Sequence, residues 1–306
     1  MIDVRVTSSA LHTNYAPCYL ADTLGIYAAN GLRVDASIPA GPGSSWLSSN
    51  LLDDKADFAM GGIWIPLAYR GRLAELPICA LVCHRNPQAI MARRPIENFG
   101  WESLYGQKML LSMSSTSQWM LLEGVMKQAG ADPSKVQFLR DLDALTNIRL
   151  WRAGLGAFFL ADPLTAEELE DEGYHVVTTL GRICGPVPWS VYYTAPRVLQ
   201  REDGMASLFV RSIGEALGWI HAHTDEEVAE AIASYFPGKP VALLARSIAR
   251  LRADGVWRQD TTIPRDPFDN YQRIIADFGL IERPFPFDDV VSYPAGGIGP
   301  PDVSRD

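Results

Sequence analysis

Apolar and polar positions alternate along the first sixty residues with two different periods, one typical of strands and one typical of helices. A short β-like run at Val4–Thr7 is followed by helical periodicity from Tyr19 to Asn30. A second apolar run, Leu32–Ile38, leads through a glycine- and serine-rich loop and another helical segment to Asp57–Met60. This order is typical of open α/β sheets, which bind ligands at the carboxyl ends of their strands. The pattern therefore predicts a ligand cleft near the turns that follow these strands.

The same alternation continues to about residue 197. Further strand-like runs are predicted at Ile78–Val82, Ala89–Ala92, Lys108–Ser112, Val136–Leu139, Ala157–Leu160, His175–Thr179 and Val191–Thr194. Beyond Arg197 the pattern is mostly helical, and Thr224 with Glu227 three positions later fits a capping box at a helix start. Proline and glycine are frequent from Arg283 onward, which predicts an extended and loosely ordered end.

The middle of the chain repeats the plan of its beginning. In both parts a strand ends in a serine-containing turn that leads into a helix, which predicts two lobes of similar α/β architecture. The predicted first lobe combines residues 1–90 with residues 193–306, and the second lobe comprises residues 91–192. The chain would enter the second lobe near Gln88–Arg93 and return near Trp189–Thr194, which leaves a cleft between the lobes.

Composition and charge exclude several kinds of partner. The 306 residues carry a formal net charge of −9, and no run rich in lysine or arginine occurs. This charge opposes non-specific attraction to nucleic acid or to an anionic membrane surface. No segment approaches the roughly 20 continuous apolar residues of a membrane-spanning helix, so the chain is not expected to span a membrane.

The start of the chain leaves two locations open. No basic region followed by an apolar stretch is present at the N-terminus. A native start at Met1 predicts a cytoplasmic protein, whereas a leader removed before residue 1 predicts an extracytoplasmic one.

The four cysteines are interpreted as buried structural thiols. Cys79 and Cys83 would lie on one face of a predicted strand about 13 Å apart, too far for a disulfide between them. His84 would point to the opposite face from Cys83, which makes this group a poor metal site. The sequence also lacks a phosphate-binding loop, a dinucleotide fingerprint and zinc-ligand spacing. No metal and no cofactor are therefore predicted.

The order of these motifs resembles that of the type II periplasmic-binding-protein fold. Within that fold, the chain is similar to the group that binds nitrate, sulfonates, taurine and the pyrimidine precursor of thiamine. The resemblance rests on Asn14–Pro17 and Gly31–Val34, on the Gly41–Ser45 loop, and on Ser114–Ser117 in the second part. It implies a two-lobed α/β fold in which each lobe is a mostly parallel sheet flanked by helices.

The resemblance also implies where a ligand is held, because in such proteins it sits between the lobes at turns that follow strands. The first-lobe candidates are His12, Asn14, Tyr15, Gly41, Ser44, Ser45, Gly61, Gly62 and Trp64. The second-lobe candidates are Ser114, Ser115, Thr116, Ser117 and Asp162, with Trp189 and Tyr192 at the crossover. Hydroxyl groups at a helix start lie beside unpaired backbone N–H groups and the positive end of the helix dipole. Such a site suits a carboxylate, sulfonate or phosphate group.

Each of these features also has a purely structural interpretation. Ser114–Ser117 would serve as a helix N-cap, the Gly41–Ser45 loop as a simple turn, and Asp162 as another N-cap. His12 and Tyr15 would then be packing residues of the first crossover, and Trp64 would be a packing residue of the core.

Two functions fit the predicted cleft. The favoured one is a substrate-binding protein that closes on a small anionic or heteroaromatic molecule, such as a sulfonate, an aromatic acid or a pyrimidine. If exported, it would hand this ligand to an ABC permease. The alternative is a cofactor-free enzyme on the same scaffold, a lyase, desulfinase or pyrimidine synthase, that uses His12 as general acid or base.

The enzyme alternative rests on similarity to aryl-sulfinate desulfinases and to the pyrimidine synthases of thiamine biosynthesis. Met60–Leu67 is similar to a desulfinase segment, but that family needs a cysteine in the first strand-to-helix turn and an arginine before the glycine pair. Here the turn holds His12 without a cysteine beside it, and Ala59 occupies the place of the arginine. The cysteine cluster of the pyrimidine synthases is absent as well, although His12 lies near the position of their substrate histidine.

Overall fold

A computed structural model of the chain describes residues 1–38 and 45–294. The strands in these residues are β1 (Ile2–Ser8), β2 (Leu32–Ile38), β3 (Phe58–Gly62), β4 (Ile78–Cys83), β5 (Ala89–Ala92), β6 (Lys108–Ser112), β7 (Gln137–Leu142), β8 (Phe158–Ala161), β9 (His175–Thr179) and β10 (Ser190–Thr194). The helices are α1 (Ala16–Thr23), α2 (Ile26–Ala29), α3 (Ser45–Leu52), α4 (Trp64–Tyr69), α5 (Thr116–Gln128), α6 (Ala144–Arg152), α7 (Pro163–Asp171), α8 (Leu180–Ile183), α9 (Pro196–Leu199), α10 (Met205–Ala222), α11 (Asp225–Ile232), α12 (Val241–Ala253), α13 (Arg265–Asp277) and α14 (Phe287–Val290). Short 3₁₀ helices lie at Thr13–Tyr15, Trp101–Leu104, Pro133–Lys135 and Ala233–Tyr235.

The strands form two five-stranded sheets. The first sheet has the order β2–β1–β3–β10–β4, and the second has the order β7–β6–β8–β5–β9. One strand of each sheet, β10 or β5, runs antiparallel to its neighbours, and the other pairings are parallel. The expected two-lobed α/β fold with mostly parallel sheets is confirmed. We call each sheet with the helices packed on it the first and the second lobe.

The chain crosses between the sheets twice. Residues 84–88 connect β4 to β5, and residues 180–189, which include α8, connect β9 to β10. The predicted lobe boundaries after residues 90 and 192 fall inside β5 and β10. Because β5 bonds to the second sheet and β10 to the first, we propose that the boundaries lie within the two connections.

Two local predictions had different outcomes. The predicted continuous helix from Tyr19 to Asn30 is wrong, because α1 and α2 are separated at Gly25. The φ of Gly25 is +68°, a left-handed conformation that glycine adopts without steric cost. The predicted capping box is confirmed. The Thr224 hydroxyl accepts from the Glu227 N–H at 3.2 Å, and the Glu227 carboxylate accepts from the Thr224 N–H at 2.8 Å.

The expectation of a loosely ordered end is wrong for residues 287–294. Helix α14 forms there, and Val291 makes a parallel bridge with Ile78 of β4. The Tyr293 hydroxyl accepts a hydrogen bond from the Ile263 N–H at 2.9 Å. Burial against the first lobe therefore holds this segment despite its proline content.

The largest apolar core surrounds the first sheet. Phe58 of β3 stacks on Phe209 of α10 with 4.2 Å between ring centroids, and Tyr27 stacks on the same Phe209 ring at 5.7 Å. Two smaller cores lie at the second sheet, around Leu122 and around Trp151. In the part of the chain that is described, no helix is long and apolar enough to cross a membrane.

Two helix pairs join the lobes beside the crossings. On one side α7 packs on α12, where Glu167 is 2% exposed and lies 3.2 Å from Arg246 Nε and 2.7 Å from Arg250 Nε. On the other side α5 packs on α13 so closely that a Cβ added at Gly124 would lie 2.5 Å from Ile274 Cγ2. A buried ion pair and a tight apolar contact therefore hold the second lobe against the first.

Removing the Glu167 carboxylate is expected to destabilise the fold. Glu167→Ala leaves the largely buried Arg250 guanidinium without this partner, which costs about 3 kcal/mol of unfolding free energy, as measured in urea. The control is Asp171→Ala, because the exposed Asp171 carboxylate also pairs with Arg246. This control should cost at most about 1 kcal/mol. Equal losses in the two variants would contradict the role assigned to Glu167.

Acid is expected to destabilise the fold through His84 in the first crossing. Burial lowers the pKa of His84 to about 4, and the positive charges of Arg258 and Arg85 act in the same direction. The unfolded chain, in which a histidine has a pKa of about 6.5, therefore binds more protons, and stability falls as the pH drops from about 6.5 to about 4. His84→Gln should reduce the loss of Tm between about pH 7 and about pH 5 in a calorimetric scan. An unchanged loss would show that other groups cause it.

Candidate ligand-binding site

A cavity of about 290 Å³ lies between the two lobes, at the carboxyl ends of parallel strands of the first sheet. It is lined by Ser9, Ala10, His12, Asn14, Tyr15, Leu47, Gly62, Trp64, Ile65, Pro87, Gln88, Ser114, Ser115, Ser117, Gln118, Trp189 and Ser190. Residues 114–118 come from the second lobe, residues 87–88 from the first crossing, and the others from the first lobe or the return to it. We call this space the interlobe cavity.

Most of the predicted site residues that the structure describes meet at this cavity. They are His12, Asn14, Tyr15, Gly62, Trp64, Ser114, Ser115, Ser117 and Trp189. Gly41, Ser44 and the side chain of Ser45 lie outside the described part of the chain. Gly61 lies beside the cavity, where a Cβ added to it would be 2.9 Å from Leu47 Cδ1.

Thr116 and Asp162 do not line the interlobe cavity. Thr116 is the first residue of α5 and is exposed, whereas Ser115 and Gln118 face the cavity from the same helix start. The Asp162 carboxylate accepts from two backbone N–H groups in the first turn of α7, at 3.1 Å each. It therefore has the structural role of an N-cap that the sequence also allowed.

Tyr192 is also directed away from the interlobe cavity. It lies two residues into β10, is 1% exposed, and packs edge-on against Phe209 with 4.9 Å between ring centroids. It borders a separate cavity of about 440 Å³ beside α1, which Tyr19 and Tyr27 also line.

Several lining residues were not predicted from the sequence. They are Ser9, Ala10, Leu47, Ile65, Pro87, Gln88, Gln118 and Ser190. Gln88 and Ser190 lie at the predicted passages between lobes, so that prediction contained a signal for them. Ser190 reaches the cavity because it pairs with Gly62 at the edge of the first sheet. No comparable signal marks Leu47 or Ile65, which are apolar residues of helices.

Tyr15 is held at the first-lobe wall by a short turn after β1. Its Oη lies 3.1 Å from Ser9 Oγ and 3.4 Å from Ser190 Oγ. Burial raises the pKa of Tyr15 to about 12, so its hydroxyl stays neutral near physiological pH. The phenol therefore gives the cavity a fixed neutral group rather than an anion.

Among the described residues of this wall, His12 supplies the one imidazole. Its backbone N–H donates to the Tyr19 hydroxyl at 3.2 Å, which fixes the main chain. Its ring lies 6.3 Å from the Tyr15 ring, with 21° between their planes. The described residues make no hydrogen bond with the His12 ring, which is partly exposed at the cavity.

Two tryptophans add flat apolar surface. The Trp64 indole lies over Gly62, where an added Cβ would be 2.7 Å from both Cδ1 and Nε1 of that ring, so glycine permits this contact. Trp189 is 6% exposed and packs edge-on against Tyr271 at 6.3 Å between centroids. Such aromatic walls favour a planar ligand.

The second-lobe wall is the start of α5. Ser115 is its N-cap residue and makes no side-chain capping hydrogen bond. The Ser117 hydroxyl donates to Gln118 Oε1 at 2.9 Å. The first-turn N–H groups and the positive end of the helix dipole therefore face the cavity together with serine hydroxyls, and this arrangement suits an acceptor oxygen of a ligand.

The described wall of the interlobe cavity is poor in ionisable side chains. Among the described residues that line it, there is no aspartate, glutamate, lysine or arginine. Nor do the described residues bring together three histidine, cysteine, aspartate or glutamate side chains in a way that could hold a metal ion. The cavity thus offers dipoles, hydroxyls, amides and aromatic rings.

Thiol chemistry has little support in the structure. The four cysteines are free, and Cys83 is buried behind Asn14. Burial raises the pKa of the Cys18, Cys79 and Cys83 thiols to about 12 and also raises that of Cys184. A thiolate is therefore scarce near neutral pH.

The fold and the cavity define a two-lobed α/β protein with a space for a small molecule between its lobes. Residues 12–227 match the sequence family described as NMT1/THI5 like, and the chain belongs to that family. It is 23% identical over 293 residues to the putative binding protein YtlA of Bacillus subtilis (strain 168), in a match that covers 94% of this chain and 87% of that protein.

Solved structures share this fold. The periplasmic aliphatic sulphonate binding protein SsuA from Escherichia coli matches with a TM-score of 0.74 and 15% identity, over 100% of this chain and 97% of its own. The desulfurization enzyme DSZB matches with a TM-score of 0.68 and 14% identity, over 96% of this chain and 97% of its own. These likenesses confirm the type II periplasmic-binding-protein fold that the sequence predicted.

Proposed function

We propose that this protein is a substrate-binding protein of the ABC-import type, which holds one small molecule in the interlobe cavity. The observation that carries the proposal is that polar and aromatic side chains from both lobes meet at one ligand-sized space. Its similarity to the putative binding protein YtlA and its likeness in fold to SsuA support the same function.

The volume of the cavity limits the size of the ligand. Because a water molecule takes about 30 Å³ in the liquid, a space of about 290 Å³ accepts a compound of roughly ten to fifteen non-hydrogen atoms. A single ring with one polar substituent has this size. Aromatic sulfonyl compounds, aromatic acids and substituted pyrimidines are therefore the proposed ligands.

Each wall has its own part in holding such a ligand. Trp64 and Trp189 contact the ring, and the start of α5 binds acceptor oxygens with its N–H groups and the hydroxyls of Ser115 and Ser117. The two connections between the sheets act as the hinge about which the lobes close. The closed, ligand-bound protein then delivers its ligand to the outer face of an ABC permease. This place of delivery agrees with the periplasmic location of SsuA.

Ligand binding is tested with a thermal-shift and native mass spectrometry screen of arylsulfonyl compounds, aromatic acids and pyrimidines. A member of this set should raise the Tm and bind with one molecule per chain. Trp64→Ala removes an aromatic wall and should weaken its binding at least about tenfold. The control is Trp219→Ala, because Trp219 stacks on His223 of the α10 end and does not line the cavity. A screen without any binder would contradict the proposed function.

A His12-dependent enzyme is a second candidate function, favoured by the likeness in fold to DSZB and by the His12 imidazole in the cavity wall, which has no hydrogen-bond partner among the described residues. In that case His12→Ala should abolish turnover of a bound ligand while its affinity stays within about tenfold. Mass spectrometry of the ligand after incubation with wild-type protein and with this variant measures the turnover. An unchanged ligand with the wild-type protein would exclude the enzyme and leave the binding function intact.

A further inference from the structure

The first lobe contains a second cavity, the space of about 440 Å³ beside α1 that Tyr192 borders. Its described lining comes from β1, β2 and β10 of the first sheet, from α1 and α2, and from the 3₁₀ helix at Ala233–Tyr235. We call this space the α1 cavity. We propose that it binds a small organic ammonium ion, whose charged head lies at Asp22 and whose apolar body lies among tyrosine side chains. This site is separate from the interlobe cavity and goes beyond the proposed function.

The end of the α1 cavity that is open to solvent is negatively charged. Asp22 and Asp35 both line the cavity and are exposed. Neither carboxylate makes an ion pair with another described residue, and the described lining contains no lysine, arginine or histidine to neutralise them. Hydrogen bonds from the hydroxyl and the N–H of Ser37 lower the pKa of Asp35, which keeps it ionised near neutral pH. This end of the cavity therefore attracts cations and repels anions.

Asp22 is held beside aromatic side chains of the same cavity. The Tyr235 hydroxyl donates to Asp22 Oδ2 at 2.6 Å, and the Tyr235 ring stacks on Tyr19 with 4.4 Å between centroids. Since Tyr19, Asp22 and Tyr235 all line the cavity, this hydrogen bond fixes the carboxylate at its wall. None of the described residues donates to Asp22 Oδ1. An exposed carboxylate with one oxygen free to accept is suited to the N–H groups of an ammonium ion.

The inner end of the α1 cavity is neutral and largely apolar. Tyr27 and Tyr192 line it at 6% and 1% exposure, and burial raises the pKa of both hydroxyls well above the usual range. Val6 and Val34 line the same space. A charged group is costly to bury at this end, whereas a hydrocarbon ring is not. The cavity therefore orients an amphipathic ligand with its charged head outward.

The size of the α1 cavity fits such a ligand. A volume of about 440 Å³ equals that of about fifteen water molecules in the liquid. An amine with one ring and a short chain is smaller than this. The proposed ligand class is therefore a single-ring or branched aliphatic amine that is protonated near neutral pH.

The α1 cavity and the interlobe cavity share a thin wall. Ala10 lines both spaces, and the Tyr19 hydroxyl hydrogen-bonds the backbone N–H and C=O of His12 at 3.2 Å each. The Tyr19 side chain therefore lies in the α1 cavity while its hydroxyl holds the main chain of an interlobe residue. Because the described interlobe lining has no carboxylate, the two spaces differ in the charge of the ligand that they favour.

The experiment compares two probes that share one phenylethyl body. They are 2-phenylethylamine, which is a cation near neutral pH, and 2-phenylethanol, which is uncharged. Calorimetric titration of the full chain at low salt should give a Kd for the amine about tenfold lower than for the alcohol. Raising the salt from about 0.02 M to about 0.5 M should reduce this preference, because an exposed carboxylate is screened.

Variants test the assignment to Asp22. Asp22→Asn keeps the shape and an acceptor for the Tyr235 hydroxyl but removes the charge, so the two probes should then bind with Kd values within about threefold of each other. Asp35→Asn should weaken amine binding less than Asp22→Asn does, because both oxygens of the hydrogen bonds from Ser37 belong to that local turn and not to the ring wall. The matched control is Asp141→Asn, which makes the same change of charge at an exposed residue of β7 that does not line the α1 cavity. This control should leave the preference for the amine unchanged.

Trp64→Ala distinguishes the two cavities, because Trp64 lines the interlobe cavity and not the α1 cavity. Amine binding should be the same in this variant as in the wild-type protein. The inference is overturned if the alcohol binds as tightly as the amine, if the preference survives Asp22→Asn, or if Trp64→Ala weakens amine binding as much as Asp22→Asn does. Absence of any amine binding overturns it as well. None of these results affects the proposed function, which fails separately if the ligand screen of the interlobe cavity finds no binder.

Discussion

The pairing of β10 between β3 and β4 is the interaction on which the arrangement of both lobes depends. β10 is the strand that returns from the second sheet, and it inserts antiparallel into a sheet whose other strands run parallel. Its first residue, Ser190, is therefore placed at the edge where the parallel strands end, opposite Gly62. The same insertion brings residues 180–189, the connection from β9 to β10, to the side of the interlobe cavity. The return connection and the interlobe cavity thus share one edge of one sheet, and neither can move far without disturbing the ladder of hydrogen bonds.

The cavity wall in the second lobe is positioned by contacts made elsewhere on the same helix. The first turn of α5 faces the cavity, while its middle packs on α13 of the first lobe at the Gly124–Ile274 contact. Across the molecule, Glu167 joins α7 to two arginines of α12. The Gly124–Ile274 contact leaves no room for one more methyl group, so it sets the distance between α5 and α13. The buried ion pairs of Glu167 set the orientation of α7 on α12. Both act on helices that begin at the carboxyl ends of strands of the second sheet.

The sequence was sufficient for the fold and for the loops that carry the site, but not for the direction of individual side chains. Asn14, Tyr15 and Trp64 were predicted because the resemblance to the type II periplasmic-binding-protein fold places ligand contacts in turns that follow parallel strands. Thr116 was predicted at the cavity, but Gln118 lines it instead, because the rotation of α5 decides which side chains face the cavity and a serine cluster does not specify that rotation. Tyr192 was assigned to the cavity as a crossover residue, but the register of β10 places it inside the first lobe. The loop with Gly41 and Ser44 lies outside the described residues, so those two predictions stay open.

A wall of dipoles has a consequence for the conditions under which the protein works. Debye screening weakens attraction between net charges, and the described lining of the cavity contains no aspartate, glutamate, lysine or arginine. The affinity for the proposed ligand should accordingly differ little between dilute and concentrated salt. Long-range steering of a charged ligand would then come from the net charge of −9 of the whole chain and not from the cavity wall.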